Sequence, residues 1–421
     1  MEQKQTLYWL VPKITPRISY LAQTLFASWS SVEIIPATSP ETNSRILNST
    51  HQEYPNQIQL PELSPVLFES GETKHLPELL PNLADKNPDS FDWFSVSFWL
   101  LTEYVNYVKP SYDKFERYDF KAIEHTGFYQ KPYIDLWVNY LAEKIHLKWP
   151  EIQIQKPLFK QEITCDIDHL FAFRKRGFLN LSKKFLAAIF QQDIERIQLL
   201  LKYLYTGQDP YEVSWEILFK INPETLRFFV LLSNKHPRDS FYSPDFQPLI
   251  QKIRDLSLRG YSVGIHPSYN TIDGSYIKDE YLQLQNILNK EVTNSRQHYL
   301  RYRLPATYRT LISVGIREEF TACLPTVIGY KYSTSRPFFW YDIQKEETTS
   351  LQIHPTIAMD RTLLEDMART PQQAKEDLLK LRTDIQEVGG VFRLLIHPET
   401  LSNFFEWKDW RDVFVATQIY S

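Results

Sequence analysis

Two aspartates spaced two residues apart are the first candidates for chemistry in this sequence. Asp166 and Asp168 lie at the end of a short apolar run that begins at Ile163. On a β-strand, residues i and i+2 point to the same side, so the two carboxylates would converge on one spot. Two anions that close repel each other unless a metal, a shared proton or proton transfer accompanies them. Taken alone, however, such a pair more often caps a following helix.

Further acids, bases and metal-ligand types follow later apolar segments. They are Asp239, His266, Arg296, His298, His354 and His397. Three of these histidines, at 266, 354 and 397, are each followed by proline where a strand is expected to end. A single histidine at such a place is more often a hydrogen-bonded structural residue. In a β/α barrel, however, the working residues gather at the C-terminal ends of the strands, so the combination predicts a pocket lined by Asp and His.

The elements that must position these residues alternate along residues 156–421. Apolar strand patterns occur at 162–167, 227–233, 261–266, 297–300, 319–324, 351–354 and 391–397. Amphipathic helix patterns occur at 182–205, 246–258, 278–293, 305–314 and 371–388. This alternation is typical of a parallel β/α barrel or of a doubly wound sheet, and the pattern alone does not choose between them.

The first part of the chain has a different character. Strands are predicted at 6–12, 31–36 and 58–60, and helices at 18–29, 91–107 and 134–147, with loop-rich sequence over 36–90. A chain of 421 residues normally divides into more than one domain. We therefore predict an N-terminal α/β domain at 1–155 and a second domain at 156–421.

Composition limits the classes of function. The chain carries 47 basic and 51 acidic residues with no long run of either sign, which argues against a nucleic acid or an anionic membrane as the main partner. Cys165 and Cys323 are too few for a disulfide framework and are expected to be buried thiols. We find no signal peptide and no membrane span, and expect a cytoplasmic enzyme.

From about residue 160 the sequence resembles the polysaccharide deacetylases, which are NodB-type carbohydrate esterases. The segments that carry the resemblance are ITCDIDH (163–169), VGIHPSYN (263–270), SRQHYLRYRLPATYRTL (295–311), PFFWYDI (337–343), LQIHPTIAMDRTL (351–363) and GGVFRLLIHPETL (389–401). The resemblance implies a distorted parallel (β/α)7 barrel. More narrowly, FDWFSVSFWLLTEY (91–104) and residues 117–138 are similar to a bacterial subgroup in which an N-terminal domain of unknown function precedes the barrel.

The resemblance also assigns roles to single residues. Asp166 matches the catalytic base, and Arg296 lies where the family has an arginine that holds this base. Asp168 matches the metal-binding aspartate, and His266 matches the first histidine of the family's His-x-x-x-His metal motif. His397 matches the histidine that protonates the leaving group.

One position departs from the family pattern. Asn270 takes the place of the second histidine of the metal motif, and an amide oxygen is a poorer zinc ligand than imidazole. His298 is the alternative ligand. The metal implied is zinc, with cobalt or nickel as alternatives. Three aromatic residues are candidates either for stacking on a sugar or for core packing, namely Tyr269, Trp340 and Tyr341.

The function implied is metal-dependent removal of acetyl groups from an N- or O-acetylated sugar or polysaccharide. The substrate partner would be a carbohydrate. Two alternatives stay open at this point. One is a glycan-binding barrel that has lost hydrolysis, to which Asn270 points. The other is a glycosyltransferase in which the Asp-x-Asp pair binds the metal of a nucleotide diphosphate, although residues 1–150 offer no glycine-rich phosphate loop.

Overall fold

The computed structural model describes residues 4–41, 44–72, 86–174, 192–240 and 242–416, together with residues 182, 185, 186 and 188–190. Within these residues the chain forms a mixed α/β fold with two separate, mainly parallel sheets. A single buried apolar cluster includes residues of both sheets, from Leu7 to Phe414. Cys165 and Cys323 are both buried free thiols, as expected.

The first sheet has four strands. They are β1 (Gln5–Leu10), β2 (Val32–Ala37), β3 (Ile46–Asn48) and β4 (Gln57–Gln59), in the order β2-β1-β3-β4 with every pair parallel. The helices of this part are α1 (Pro16–Leu25), α2 (Trp93–Leu101), α3 (Tyr104–Val108), α4 (Lys121–Glu124) and α5 (Tyr133–Lys148). The strands and helices predicted before residue 150 are therefore present, with the 91–107 helix split in two. The split falls at Glu103, which has a left-handed φ of 51°.

The second sheet has nine strands in the described residues. They are β5 (Lys160–Ile167), β6 (Leu226–Val230), β7 (Ser262–Ile265), β8 (Asn294–Ser295), β9 (Glu318–Glu319), β10 (Phe338–Asp342), β11 (Glu347–Ile353), β12 (Ala358–Met359) and β13 (Val391–Ile396). Their order is β10-β11-β9-β8-β7-β6-β5-β13-β12, and only the β10–β11 pair is antiparallel. All six residues of β13 are buried, as expected for a strand covered on both faces.

Helices connect these strands. They are α6 (Ile194–Thr206), α7 (Glu212–Leu218), α8 (Gln247–Leu258), α9 (Ile277–Leu288), α10 (Ala306–Ser313), α11 (Pro371–Val388) and α12 (Trp410–Ala416). α11 matches the predicted 371–388 and shows why. Thr370 and Gln373 form a capping box, Pro371 occupies the first turn, and Gly389 ends the helix at a φ of 70°. No helix in the described part of the chain is long and apolar enough to cross a membrane.

The hydrogen-bond pattern confirms the parallel α/β arrangement but not a closed seven-stranded barrel. In the described residues no ladder joins β11 to β12, so the second sheet keeps two edges. The chain crosses between them over residues 354–357. The His354 N–H donates to Glu319 O on one side at 2.8 Å, and the Ile357 N–H donates to Arg393 O on the other at 2.9 Å.

Two predicted strands are shorter and lie earlier than expected. The 297–300 pattern is a helical turn, His298–Leu300, that follows the two-residue β8. Tyr299 and Leu300 both have left-handed φ, 58° and 57°, which is incompatible with a strand. Likewise, 319–324 contributes only its first residue to β9. Of the predicted 182–205 helix, Ile194–Thr206 is helical, whereas residues 183, 184, 187 and 191 lie outside the described residues.

The residues before and after 155 share a buried polar contact. Glu103 accepts hydrogen bonds from Tyr302, at 2.7 Å to Oε1, and from Tyr332, and its Oε1 lies 3.4 Å from Lys331 Nζ. Glu103 and Lys331 are 5% and 1% exposed. Burial lowers the pKa of Lys331, and the negative charge of Glu103 offsets only part of this effect. The division at residue 155 stays a prediction.

Candidate metal centre

The candidate residues meet because their strands are neighbours. β13, β5, β6, β7 and β8 lie side by side and run parallel, so their C-terminal ends adjoin. Each end, or the loop after it, supplies one or two of the polar side chains. They are Asp166 and Asp168 from β5, Asp239 after β6, His266 after β7, Arg296 and His298 after β8, and His397 after β13.

Asp166 forms a buried ion pair with Arg296. Nη1 of Arg296 lies 3.1 Å from Oδ1 of Asp166, and the two side chains are 0% and 4% exposed. The same guanidinium donates to Thr164 Oγ1 at 2.7 Å, to Phe320 O at 3.0 Å and to Thr356 Oγ1 at 3.0 Å. These bonds fix the arginine, and they hold its positive charge against the carboxyl group of Asp166.

Asp168, His266 and His298 form a compact group of metal-ligand types. One ligand atom from each lies within 4.8 Å of the others. Nε2 of His266 lies 3.3 Å from Oδ1 of Asp168, and Nε2 of His298 lies 3.7 Å from its Oδ2. Asp168 Oδ1 is buried and has no hydrogen-bond partner in the described part of the chain. A buried carboxylate oxygen without a donor is costly unless a cation binds there.

The outer nitrogen of each imidazole is held by an acceptor. Nδ1 of His266 lies 2.6 Å from Arg296 O, and Nδ1 of His298 lies 3.3 Å from Asp239 Oδ1. A carbonyl or carboxylate oxygen only accepts, so Nδ1 carries the proton in both rings and Nε2 faces Asp168. This is the outer-shell arrangement that orients histidine ligands in metal sites.

The charges around Asp168, His266 and His298 favour the binding of a proton or a metal cation. Burial acts to raise the pKa of Asp168, but the charge of His298 and the nearby ring of His266 outweigh it and hold this pKa well below its usual value. Burial acts to lower the pKa of His298, while Asp168 and Asp239 raise it to about 9. The carboxylates thus attract positive charge to this spot, in the form of protons or of a metal ion.

His397 reaches the same place from the other side. Its Nε2 lies 3.7 Å from Asp168 Oδ2, and its Nδ1 lies 2.9 Å from Asp360 Oδ1. Asp360 also accepts from the backbone N–H of His397 at 2.6 Å and from the hydroxyl of Thr400. Burial works against protonation of His397, but Asp360 outweighs it and raises the pKa to about 10. The ring is therefore an imidazolium near neutral pH.

These groups line one cavity of about 440 Å³. This volume is in the range of small-molecule sites. Its lining includes Asp166, Asp168, His266, His298 and His397. The rest of the lining includes Lys114, Phe115, Arg117, Arg238, Tyr299, Arg361, Glu365 and Asp366. The wall therefore combines residues from before and after residue 155.

Four predicted site residues do not join this group. Asn270 is exposed on the turn Tyr269–Thr271 and is not part of the cavity wall. Trp340 and Tyr341 lie in β10, 2% and 0% exposed, because this edge strand packs against the first part of the chain; Tyr341 stacks on Tyr20 at 4.9 Å. Both side chains pack in the core, which is the second of the two roles that the sequence left open for them.

Tyr269 is close to the site but turned away from it. It is 7% exposed, with its ring stacked on His236 at 4.2 Å, and the Arg301 guanidinium lies 3.4 Å from the ring centre. Both ring surfaces are thus engaged by protein groups. Tyr269 supports the wall of the cavity and does not line it.

Sequence reasoning missed five residues that contribute to the site. Asp360 follows the two-residue strand β12, which has too few residues to give a strand pattern. Thr164 lies within β5, and nothing in the sequence distinguishes it from other strand residues. Lys114, Phe115 and Arg117 come from the first part of the chain, where the alternation of strands and helices gives no signal.

Comparisons with known proteins add the following. Residues 7–150 match the model of a family of unknown function, DUF7033, which covers about a third of the chain. A search of curated proteins finds no match. Two solved structures with a similar fold are described, provisionally in each case, as polysaccharide deacetylases. That from Mycobacterium smegmatis is 13% identical and that from Pseudomonas aeruginosa PAO1 is 14% identical, and both have a TM-score of 0.38. Each covers 62% of this chain, and 84% and 83% of the respective structure is matched.

PuuE allantoinase is similar to the same degree. It is 12% identical, with a TM-score of 0.37, over 62% of this chain and 84% of the allantoinase chain. A likeness this low assigns no residue roles. The roles considered below depend on the side chains of this chain.

The donor set fits a divalent metal of the zinc type. Two imidazole nitrogens and one carboxylate oxygen are the protein ligands found in catalytic zinc sites, which keep a further position for water or substrate. Cobalt and nickel accept the same donors. The unpartnered oxygen of Asp168 and the fixed Nδ1 protons of both histidines are the observations that support this fit.

Proposed function

We propose that this chain is a metal-dependent hydrolase that removes acetyl groups from an N- or O-acetylated sugar or polysaccharide. The observation that carries the proposal is the convergence of three groups in one cavity: a candidate ligand triad, a buried base held by arginine, and an imidazolium held by aspartate. We further propose that the second sheet is a distorted (β/α)7 barrel, residues 156–421, behind an N-terminal domain of residues 1–155.

The metal would be held by Asp168, His266 and His298. When bound, it supplies a Lewis acid that makes water more acidic and polarises the acetyl carbonyl. Zinc is the first candidate.

Asp166 is the proposed general base. Its Oδ1 is occupied by Arg296, and its Oδ2 lies 3.6 Å from Nε2 of His266, beside the proposed metal position. The ion pair with the guanidinium holds the carboxyl group in place, and a carboxylate at this position can accept a proton from the attacking water. The water oxygen then forms a bond to the acetyl carbon, and the proton stays on Asp166.

His397 is the proposed general acid. It lines the cavity as an imidazolium, the protonation state needed to donate to a leaving amine or alcohol as the bond to the acetyl carbon breaks. Asp360 stabilises this state and fixes the ring. The products are acetate and the free amine or hydroxyl group of the sugar.

The alternatives have less support. The impaired glycan-binding barrel depended on Asn270 as a poor third ligand, and His298 offers an imidazole as the third candidate ligand instead. The glycosyltransferase uses the two aspartates as joint metal ligands, whereas Asp166 is engaged by Arg296. Both observations favour hydrolysis.

The test combines metal content with acetate release. Purified protein should bind zinc, cobalt or nickel at one site per chain. It should release acetate from chitooligosaccharides, which are N-acetylated, or from an O-acetylated glycan. Asp166→Asn should keep the metal and lose acetate release, whereas Asp168→Ala should lose both. A protein that binds none of these metals, or an Asp166→Asn variant that retains full activity, would contradict the proposal.

A further inference from the structure

Three cationic side chains surround one aromatic ring at the wall of the cavity. Nζ of Lys114 lies 5.0 Å from the centre of the Phe115 ring, the guanidinium carbon of Arg117 lies 4.9 Å from it, and that of Arg238 lies 5.4 Å from it. We call these four residues the Phe115 rim. Like charges at such short range repel each other, and the ring offsets only part of this cost.

The charges of the Phe115 rim are only partly compensated. Arg117 pairs with Asp113 at 2.6 Å. Arg238 donates to the hydroxyl of Tyr269 at 3.2 Å and has no carboxylate within 4 Å in the described residues. Lys114 is exposed and likewise forms no ion pair within the described ranges. Glu365 and Asp366 line the same cavity, and Glu365 is paired with Arg361 at 2.6 Å. The three cations of the rim therefore have Asp113 and Asp366 as the nearby carboxylates that Arg361 does not engage.

Arg238 is held in place although its donors are mostly free. Its guanidinium carbon lies 5.4 Å from the centre of the Phe115 ring and 5.0 Å from that of the Tyr269 ring, with one donor used by the Tyr269 hydroxyl. A planar guanidinium held beside two aromatic rings is pre-organised for oxygen anions, because less side-chain freedom is lost on binding.

The rim and the candidate metal centre share the same cavity. We propose that the Phe115 rim binds an anionic substituent of the substrate, a phosphate, sulfate or carboxylate group, through Arg238 and Lys114. The substrate class is then an acetylated sugar that carries such a group. This inference rests on the proposed function for the acetylated sugar, and on the rim alone for the anion.

The inference also gives the first part of the chain a role. Lys114, Phe115 and Arg117 precede residue 155, and several contacts fix their loop to the second part. The Phe115 and Tyr299 rings lie 5.7 Å apart, and Glu116 accepts a hydrogen bond from Arg301. The part of the chain before residue 155 therefore supplies three residues of the Phe115 rim, and the fourth, Arg238, comes from the loop after β6.

The test measures binding by calorimetry on the full chain, freed of metal by chelation and dialysis. The probes are N-acetylglucosamine 6-phosphate, N-acetylmuramic acid and, as the neutral reference, N-acetylglucosamine. The phosphate and carboxylate probes distinguish the two kinds of anion. At low salt at least one anionic probe should bind about tenfold more tightly than the neutral sugar, and added salt should weaken this preference.

Variants locate the preference. Arg238→Met, which keeps an unbranched side chain against the rings, should reduce the preference about tenfold, and Lys114→Met should reduce it less because its ammonium is exposed. Lys109→Met is the matched control, an exposed lysine outside the cavity wall, and should change nothing. Equal affinity for charged and neutral probes, no binding of either anionic probe at millimolar concentration, or an unchanged preference in Arg238→Met would overturn the inference.

These outcomes are separate from those of the proposed function. Anion preference is read without metal and without hydrolysis, whereas the hydrolase is tested by acetate release from the metal-loaded protein. If the chain prefers anionic probes but releases no acetate, the anion site at the Phe115 rim is supported and the hydrolase is contradicted. If it releases acetate but shows no such preference, the hydrolase is supported and the anion site is contradicted.

Discussion

The identity of the third metal ligand can be tested by a graded series of three variants. His298→Ala removes one of the three candidate donors. Asp239→Asn leaves the donors in place but weakens the acceptor 3.3 Å from Nδ1 of His298. Asn270→Ala removes the side chain that occupies the family position but is exposed outside the cavity wall. The three variants thus test the proposed third ligand, the carboxylate that orients it, and the residue that the family resemblance places at the same position.

The structure sets the order of the effects. Loss of an outer-shell partner of a histidine ligand weakens metal binding by about 10- to 100-fold, so Asp239→Asn should fall in that range. Loss of His298 should cost more, at least about 100-fold, which corresponds to about 3 kcal/mol. Asn270→Ala should leave the affinity unchanged.

Cobalt titration under competition with a metal buffer gives the affinities, and the visible absorption of bound cobalt reports the ligand set. His298→Ala should also change that spectrum, whereas Asn270→Ala should not. If Asn270→Ala weakens binding as much as His298→Ala, or if His298→Ala binds cobalt like the unmodified chain, the ligand assignment is wrong. Thermal unfolding of the metal-free variants controls for loss of fold.

Three further predictions follow from the contacts. Asp360→Asn should lower acetate release about 100-fold or more with metal content unchanged, because His397 loses the charge that keeps it protonated and oriented; equal activity would contradict the acid role. Glu103→Gln should lower the free energy of unfolding by about 3–5 kcal/mol, because it leaves Lys331 charged and buried, and the added change Lys331→Met should recover much of that loss in denaturant titrations. Burial lowers the pKa of His354 to about 4, so the folded chain binds this proton less tightly than the unfolded chain. The resulting stability is complete above about pH 6.5 and is lost as the pH falls towards 4, by up to about 3 kcal/mol, and the difference between the unmodified chain and His354→Gln should show this slope.

Sequence patterns predicted the central elements well because burial dictates their composition. β13 and the last five residues of β5 are buried on both faces, so their sequences are mostly apolar, and α11 carries its own start and stop signals. The Asp166 and Asp168 side chains could be located for the same reason, since they follow the clearest strand of the chain. The pairing of Asp166 with Arg296 was available only through the family resemblance.

The short elements escaped prediction because their residues do not form a pattern. β8, β9 and β12 have two residues each, and their hydrogen bonds depend on neighbouring strands. The left-handed turn at Tyr299 and Leu300 contains neither glycine nor asparagine, the residues that usually indicate such a conformation in a sequence. This turn follows His298 directly and brings Tyr299 to the cavity wall. Strained residues of this kind are held by their surroundings and are often found at functional sites.

The third ligand illustrates the limit of local spacing. A His-x-x-x-His motif presumes that the chain after the first histidine turns so that position i+4 comes back beside position i. Here Pro267 and the turn Tyr269–Thr271 carry Asn270 to the surface. The sheet offers another route, because Ile265 in β7 pairs with Ser295 in β8, which places the residues after both strands side by side. A second imidazole beside His266 can therefore come from the neighbouring strand end, and an asparagine at position 270 is consistent with a metal site built from different residues.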